Sequence, residues 1–383
     1  MSSPGNIVGR DPATGESIAI TVDGGVIAAI KSVDGANHDY LASGLIDLQV
    51  NGFAGLDLND GHLTPERVKT LSDHMLTVGV TTFLPTLITA PEADIIHALT
   101  VIAEARRHFP SVARMVPFVH VEGPSISALD GPRGAHPAAH VRAPSLAEFE
   151  RWQAASSNLV GLVTLAPELP GAIDYIAALV QRGVHVALGH TAASPEEIHK
   201  AAAAGASLST HLGNGAAATL PRHPNFLWSQ LADDRLTATL IADGHHLPAD
   251  TFKAMVRAKG LEKAILVSDA VALAGMPPGL YEQPVGGTVE VAADGRVGIA
   301  GTPYLAGAGL PLCANVAIAT QMAGLTLNES LRLATENPGR IIGNRGRLAV
   351  GAPADLIQFA WQVGQRQLEI SAVWLRGEQV FSR

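Results

Sequence analysis

Across residues 44–342 of this chain, short apolar runs alternate with helical stretches, and nothing else in the sequence limits its fold as strongly. The runs number eight: "GLIDLQV", "VTTFLPTLI", "MVPFVHVEG", "LVGLVTLAPE", "VHVALGH", "SLSTHLGN", "TATLIADG" and "KAILVSDA". Runs this apolar suit strands buried on both faces, and strands separated by helices pair in parallel. Eight such units predict an α/β chain folded as a (β/α)8 TIM-like barrel, with an open doubly wound sheet as the alternative. The helices carry their own start signals. In "SPEEIHKAAAAGA", Ser194 is placed to cap, Pro195 takes the first helical position, Glu196 and Glu197 fill the first turn, and Gly205 ends the helix.

The two ends of the chain have a different texture. Residues 1–43 and 343–383 give short strands separated by Asp-Gly, Gly-Gly and similar turns, the pattern of antiparallel pairing. They are expected to join as one small β-sandwich domain beside a barrel of residues 44–342. A further stretch at 283–300, "QPVGGTVEVAADGRVGIA", reads as a hairpin inserted after the eighth strand and turning at Asp294-Gly295. With 383 residues, 47% hydrophobic and 16% charged, the chain can bury a large core. A net charge of −9 leaves no basic footprint for nucleic acid. A single cysteine, Cys313, rules out an intrachain disulfide. The N-terminus lacks the parts of a signal peptide, and no run reaches the ~18–20 apolar residues that a membrane span needs, so the expected location is the cytoplasm.

Polar groups stand at the strand ends: Gln49 and Asn51, Glu122, Glu168, His190, His211, Asp243 with His245 and His246, and Asp269. In a barrel these C-terminal ends open on one face, so residues far apart in sequence converge. Burying a lone carboxylate or imidazole costs on the order of several kcal/mol, and a shared cation removes that cost. Glu122, His190 and His211 offer one hard oxygen and two imidazoles. That set suits a single divalent metal, Zn²⁺ or Fe²⁺ with Zn²⁺ preferred, and leaves a position open for water. Asp269 is then placed as the base for that water, or alternatively as the N-cap of "AVALAG". Glu168 is either a wall residue or a partner of a ligating histidine.

The stretches "GLIDLQVNGFAGLDLND", "GVTTFLPTLIT", "HVEGP", "RGAHP", "LAPE", "GHTAAS", "THLGNGA", "IADGHH" and "SDAVALAG" occur in this order. Through them the chain resembles the N-acetylglucosamine-6-phosphate deacetylases of the amidohydrolase superfamily, over almost its whole length. The resemblance implies that Glu122, His190 and His211 hold the metal. It makes Asp269 the acid and base in hydrolysis of an N-acetyl amino sugar phosphate to acetate and the free amine. It implies that His136 polarises the acetyl carbonyl or binds a sugar hydroxyl, and that His246 contacts the sugar or its phosphate. Asn214 and Gly215 would meet the phosphate through backbone N–H groups, and Arg222 would reach it across a homodimer interface.

Gln49-Val50-Asn51 stands where many superfamily members have His-x-His, which implies one metal. "HLGNGA" replaces the usual His-Leu-x-Asn-Ala-Met, and "AGTPYLAGAG" stands where Gly-Ser-Ser/Thr-Leu is common. Both departures border the substrate. The alternatives are therefore a deacetylase of another N-acyl amino sugar or N-acyl amine, or a relative that binds without catalysis. His223 and His245 are candidates for a separate recognition surface.

Overall fold

The computed structural model describes residues 6–35, 39–283 and 287–383. Eight strands follow one another around a barrel: β1 Leu45–Val50, β2 Val80–Leu87, β3 Val119–Glu122, β4 Val160–Leu165, β5 His185–Leu188, β6 Leu208–Ser209, β7 Thr237–Leu240 and β8 Ala264–Leu266. Every neighbouring pair is parallel. The sheet comes round on itself through a parallel bridge between Val50 and Ala270. At that bridge the Ala270 carbonyl accepts the N–H groups of Asn51 at 2.8 Å and Gly52 at 3.1 Å. Closure decides for the barrel against the open sheet, and all eight apolar runs are barrel strands.

Two apolar layers hold this arrangement. Ile46, Leu84, Leu162, Leu208 and Ile265 form one cluster, while Phe83, Val121, Val163, Val186 and Leu240 belong to the larger core that includes the surrounding helices. Alternate residues on a strand point to opposite faces, so β1, β2, β4, β5 and β8 each feed both layers. The helix Pro195–Ala203 starts where its signals place it. Ser194 Oγ accepts the Glu197 N–H, and the Glu197 carboxylate accepts the Ser194 N–H in return, a capping box that contributes about 1 kcal/mol.

Strands from both chain ends make one seven-stranded sheet. Its order is Glu378–Ser382, Glu369–Leu375, Leu356–Ala360, Tyr40–Ser43, Ile7–Arg10, Ser17–Asp23 and Val26–Ser32. The ends meet where Leu356–Ala360 pairs antiparallel with Tyr40–Ser43. Ile357 and Phe359 join the main core, whereas Leu356 packs with Ile18, Ile20 and Leu41 in a separate cluster. The inserted hairpin is present as Gly287–Val291 against Val297–Ile299; residues 284–286 lie outside the described residues. It belongs to a larger antiparallel sheet that also takes in Gly279–Gln283 and Leu305–Gly307. Those outer strands, "GLYEQ" and "LAG", lack the β-branched residues that announce a strand. Among the described residues no helix is long and apolar enough to cross a membrane, and Cys313 is buried and unbridged.

Candidate metal and hydrolytic site

His190, His211 and Asp269 each sit two or three residues beyond the end of their strand, and each has a positive φ: 50°, 29° and 52°. A left-handed backbone is unfavourable for a side chain larger than glycine, so surrounding bonds must sustain it. For His190, Nδ1 donates to the Pro132 carbonyl at 2.9 Å. The next two residues are tied to Glu168, whose carboxylate accepts from Thr191 Oγ1 at 2.6 Å and from the Ala192 N–H at 2.8 Å. Glu168 therefore fixes the loop that carries His190 rather than the ring itself. The His211 N–H donates to Thr239 Oγ1 at 2.7 Å.

These turns bring three donors together. Glu122 Oε1 lies 3.0 Å from His211 Nε2 and 3.4 Å from His190 Nε2, and the two nitrogens are 3.1 Å apart. Ligands held tetrahedrally at ~2.0–2.1 Å from a cation are separated by about 3.3 Å, so the spacing fits. All three residues are buried. Because His190 uses its Nδ1 proton on Pro132, its Nε2 presents a lone pair. His211 Nδ1 is buried without a hydrogen-bond partner, so only its Nε2 end is engaged.

A second triad, Glu122, His136 and His190, also places donor atoms within 4.8 Å of one another. His136 Nε2 is 3.8 Å from Glu122 Oε2. However, His136 Nδ1 accepts the Thr89 N–H at 3.4 Å and lies 2.8 Å from Thr89 Oγ1. That network assigns the ring proton to Nε2, which makes His136 a donor toward the site instead of a ligand.

The electrostatics agree with this division. Burial alone would raise the Glu122 acid, yet hydrogen bonds and charge from His190 and His211 hold it well below the usual carboxylate range. Burial, with His190 beside it, pushes His136 down to about 3, so its ring is neutral. Burial and then the Glu122 charge push Asp269 up to about 6. The next element after Asp269 among the described residues is the strand Gly279–Gln283, not a helix, so Asp269 is not an N-cap. Gln49 Nε2 donates to Glu122 Oε1 at 2.9 Å, and Asn51 Nδ2 donates to Asp269 Oδ1 at 2.8 Å. The two amides that replace a His-x-His pair thus hold the carboxylates of the site.

The substrate-side residues are more scattered. Asp243 Oδ2 lies 2.7 Å from His246 Nδ1, while its Oδ1 accepts the N–H groups of His245 and His246 at 2.8 and 2.9 Å. Asp243, a strand-end residue with no role assigned from sequence, is what orients His246. His245 turns away to the inserted sheet, 3.4 Å from the Asp294 carbonyl. Arg222 is exposed, and His223 sits with its ring 6.4 Å from Trp228.

One expectation needs correction. The Asn214 N–H closes a turn on the His211 carbonyl at 2.9 Å, and Asn214 Nδ2 reaches the same oxygen at 3.1 Å, so that N–H is not free for a phosphate. Gly215 has φ +56°, and a Cβ there would stand 2.8 Å from His190 Nδ1. Gly215→Ala is therefore expected to displace the His190 ring and lower metal retention about tenfold or more, with the melting temperature falling by a few degrees because alanine at a left-handed φ costs about 1–2 kcal/mol. Equilibrium dialysis against metal, with thermal unfolding, checks this.

Sequence reasoning also passes over Thr89, which orients His136, and Thr239, which anchors His211. Thr89 stands two residues past β2, the offset at which His190 and His211 follow β5 and β6. That shared offset is the signal that reveals it.

The amidohydrolase family model matches residues 40–380. The N-acetylglucosamine-6-phosphate deacetylase of Vibrio furnissii is 35% identical over 275 residues, 70% of this chain and 67% of that protein. The N-acetylgalactosamine-6-phosphate deacetylase of Escherichia coli O157:H7 is 35% identical over 313 residues, 79% of each chain. Among solved structures, an N-acetyl-D-glucosamine-6-phosphate deacetylase variant from Mycobacterium smegmatis, in complex with N-acetyl-D-glucosamine-6-phosphate, superposes with a TM-score of 0.84 at 28% identity. The superposition covers 96% of this chain and 94% of that one. Matched across the barrel and the C-terminal strands of the terminal sheet, the chain belongs to the amidohydrolase family and, within it, to the N-acetylglucosamine-6-phosphate deacetylases.

Proposed function

We propose that this chain is a metal-dependent hydrolase that removes acetate from N-acetylglucosamine 6-phosphate and leaves glucosamine 6-phosphate. The observation that carries the reading is a buried carboxylate and two imidazoles at tetrahedral spacing, with a carboxylate of raised pKa at the same rim. Glu122, His190 and His211 would hold the cation, Zn²⁺ before Fe²⁺. When bound, that cation supplies Lewis acidity to the acyl oxygen and makes a water more acidic.

The chain's own groups divide the remaining work. Asp269 accepts the proton of the attacking water and returns it to the departing nitrogen, so that the amine leaves neutral; a group titrating near 6 can do both at neutral pH. His136, its proton fixed on Nε2 by Thr89, donates to the carbonyl oxygen as negative charge develops there. His246, held by Asp243, meets the sugar or its phosphate. The Gly215 N–H and Arg222, the latter from the second copy of a homodimer, supply contacts to the phosphate. The same reading places the enzyme in the cytoplasm and treats residues 1–43 with 343–383 as one domain beside the barrel.

A second reading has a specific ground. The N-acetylgalactosamine-6-phosphate enzyme matches this chain at the same 35% identity over a longer stretch. The two sugars differ only in configuration at C4. Acetate release from N-acetylglucosamine, N-acetylgalactosamine and their 6-phosphates, with Zn²⁺, Fe²⁺ or Mn²⁺ added, decides between them. N-acetylglucosamine 6-phosphate is expected to give the highest kcat/KM, falling about 10²-fold without the phosphate, whose charge-assisted bonds are strong. A higher value for the galactosamine epimer establishes the second reading. Indifference to the phosphate overturns both.

A further inference from the structure

One fully buried acid has no part in this mechanism. Asp47 on β1 is 0% exposed, and burial pushes its carboxyl up to about 7. Its Oδ1 accepts the Ser268 N–H at 3.1 Å and the Gln49 N–H at 3.3 Å, while its Oδ2 is buried with no hydrogen-bond partner. A carboxyl kept inside the protein with one oxygen unsatisfied is destabilising, which calls for a compensating role.

Both of its contacts lead to the site. The register between β1 and β2 runs from Asp47 opposite Phe83 to Val50 opposite Pro85, so β1 carries one extra residue, a bulge. The bond from the Gln49 N–H to Asp47 spans that bulge, the short side-chain-to-backbone closure that Asp makes in turns. Within the bulge, the Gln49 side chain reaches Glu122. On the other side Asp47 holds the amide of Ser268, the residue immediately before Asp269. Ser268 Oγ adds one more link across the same seam, donating to the Gln49 carbonyl at 3.4 Å, and locally accepts the Ala270 N–H at 3.1 Å. This seam is where the barrel closes, and Asp269 leaves it with φ +52°.

We infer that Asp47 is a positioning residue for Asp269: by clamping the β1 bulge to the Ser268 amide, it holds the strained backbone that aims Asp269 into the site. The inference rests on Asp269 acting as the base of the proposed hydrolysis. The clamp needs an acceptor at Oδ1 and no charge. Asp47→Asn therefore preserves it, and Asp47→Ala removes it.

The test compares the parent with Asp47→Ala, Asp47→Asn and Asp47→Leu, the last filling the same space without an acceptor, at saturating metal and on the parent's best substrate. Metal content and thermal unfolding are measured on the same samples. Misplacing a reacting group by a fraction of an ångström lowers kcat more than it changes KM. Asp47→Ala is expected to lose kcat about 30-fold with KM within about threefold of the parent and full metal content, and Asp47→Asn to keep kcat within about threefold. Asp47→Leu, which likewise lacks an acceptor, is expected to lose kcat as Asp47→Ala does.

Asp47→Asn as impaired as Asp47→Ala, while folded and metal-loaded, overturns the inference. So does an Asp47→Ala whose activity returns with excess metal, since the residue would then act through Glu122. If Asp47→Ala does not fold, Asp47→Leu decides, and an unchanged kcat overturns the inference. A parent inactive on every N-acyl sugar defeats the proposed reaction instead. In that event crystal structures settle the clamp: Asp269 is expected to leave the left-handed region in Asp47→Ala, or in Asp47→Leu if Asp47→Ala does not fold, and to keep it in Asp47→Asn. An unmoved Asp269 in Asp47→Ala or Asp47→Leu overturns it.

Discussion

Asp269→Asn is expected to keep its metal and lose turnover by about 10³-fold or more, the loss expected when a general acid–base residue that serves two proton transfers is removed. Asparagine has the same shape and retains an oxygen for Asn51 Nδ2, so the 2.8 Å contact that holds the side chain survives. What disappears is the ability to accept a proton from water and return it to nitrogen. In the parent, kcat/KM should rise with pH as Asp269 loses its proton, because only the ionised form is a base. Burial and the Glu122 charge set that limb at about 6, and a bound cation, which favours the carboxylate, moves it lower. In Asp269→Asn this limb should be absent. Elemental analysis, acetate release and the pH profile check the three parts together; a metal-loaded variant within tenfold of the parent denies Asp269 this role.

The barrel and its centre were legible because both are anomalies of composition. Eight apolar runs separated by helices have few other ways to bury themselves, and an imidazole or carboxylate at the end of such a run stands out. Glu122, His190, His211 and Asp269 were visible for that reason. Backbone conformation was not. Nothing in "LGHTAAS" or "LVSDAVA" announces a left-handed residue at His190 or Asp269, because that state is imposed by tertiary bonds from Pro132, Asn51 and the β1–β8 seam.

Orienting partners were hidden for a related reason. Thr89 and Asp243 are ordinary residue types at strand ends, and their function lies in which ring nitrogen they face. The resemblance implies a phosphate contact for the Asn214 N–H, and the sequence carries no sign that this turn folds back on His211. The outer strands of the inserted sheet lack β-branched residues, and their pairing depends on the hairpin between them.

His190→Ala and His211→Ala are expected to lose the metal and with it essentially all activity, whereas His136→Ala keeps the metal and loses about 10²-fold in kcat, the scale of one missing oxyanion donor. Removing either ligand leaves the cation two protein donors. Removing His190 also empties the space beside Gly134 and Gly215, where a Cβ would lie 3.3 and 2.8 Å from its ring. His136 differs because its Nδ1 accepts from Thr89 and its Nε2 therefore carries the proton. The contrast separates the two donor triads that share Glu122 and His190. Metal stoichiometry after exhaustive dialysis, measured on all three variants, reads it directly. Full occupancy in His211→Ala together with loss in His136→Ala would transfer the third ligand to His136 and require Thr89 to face the opposite tautomer.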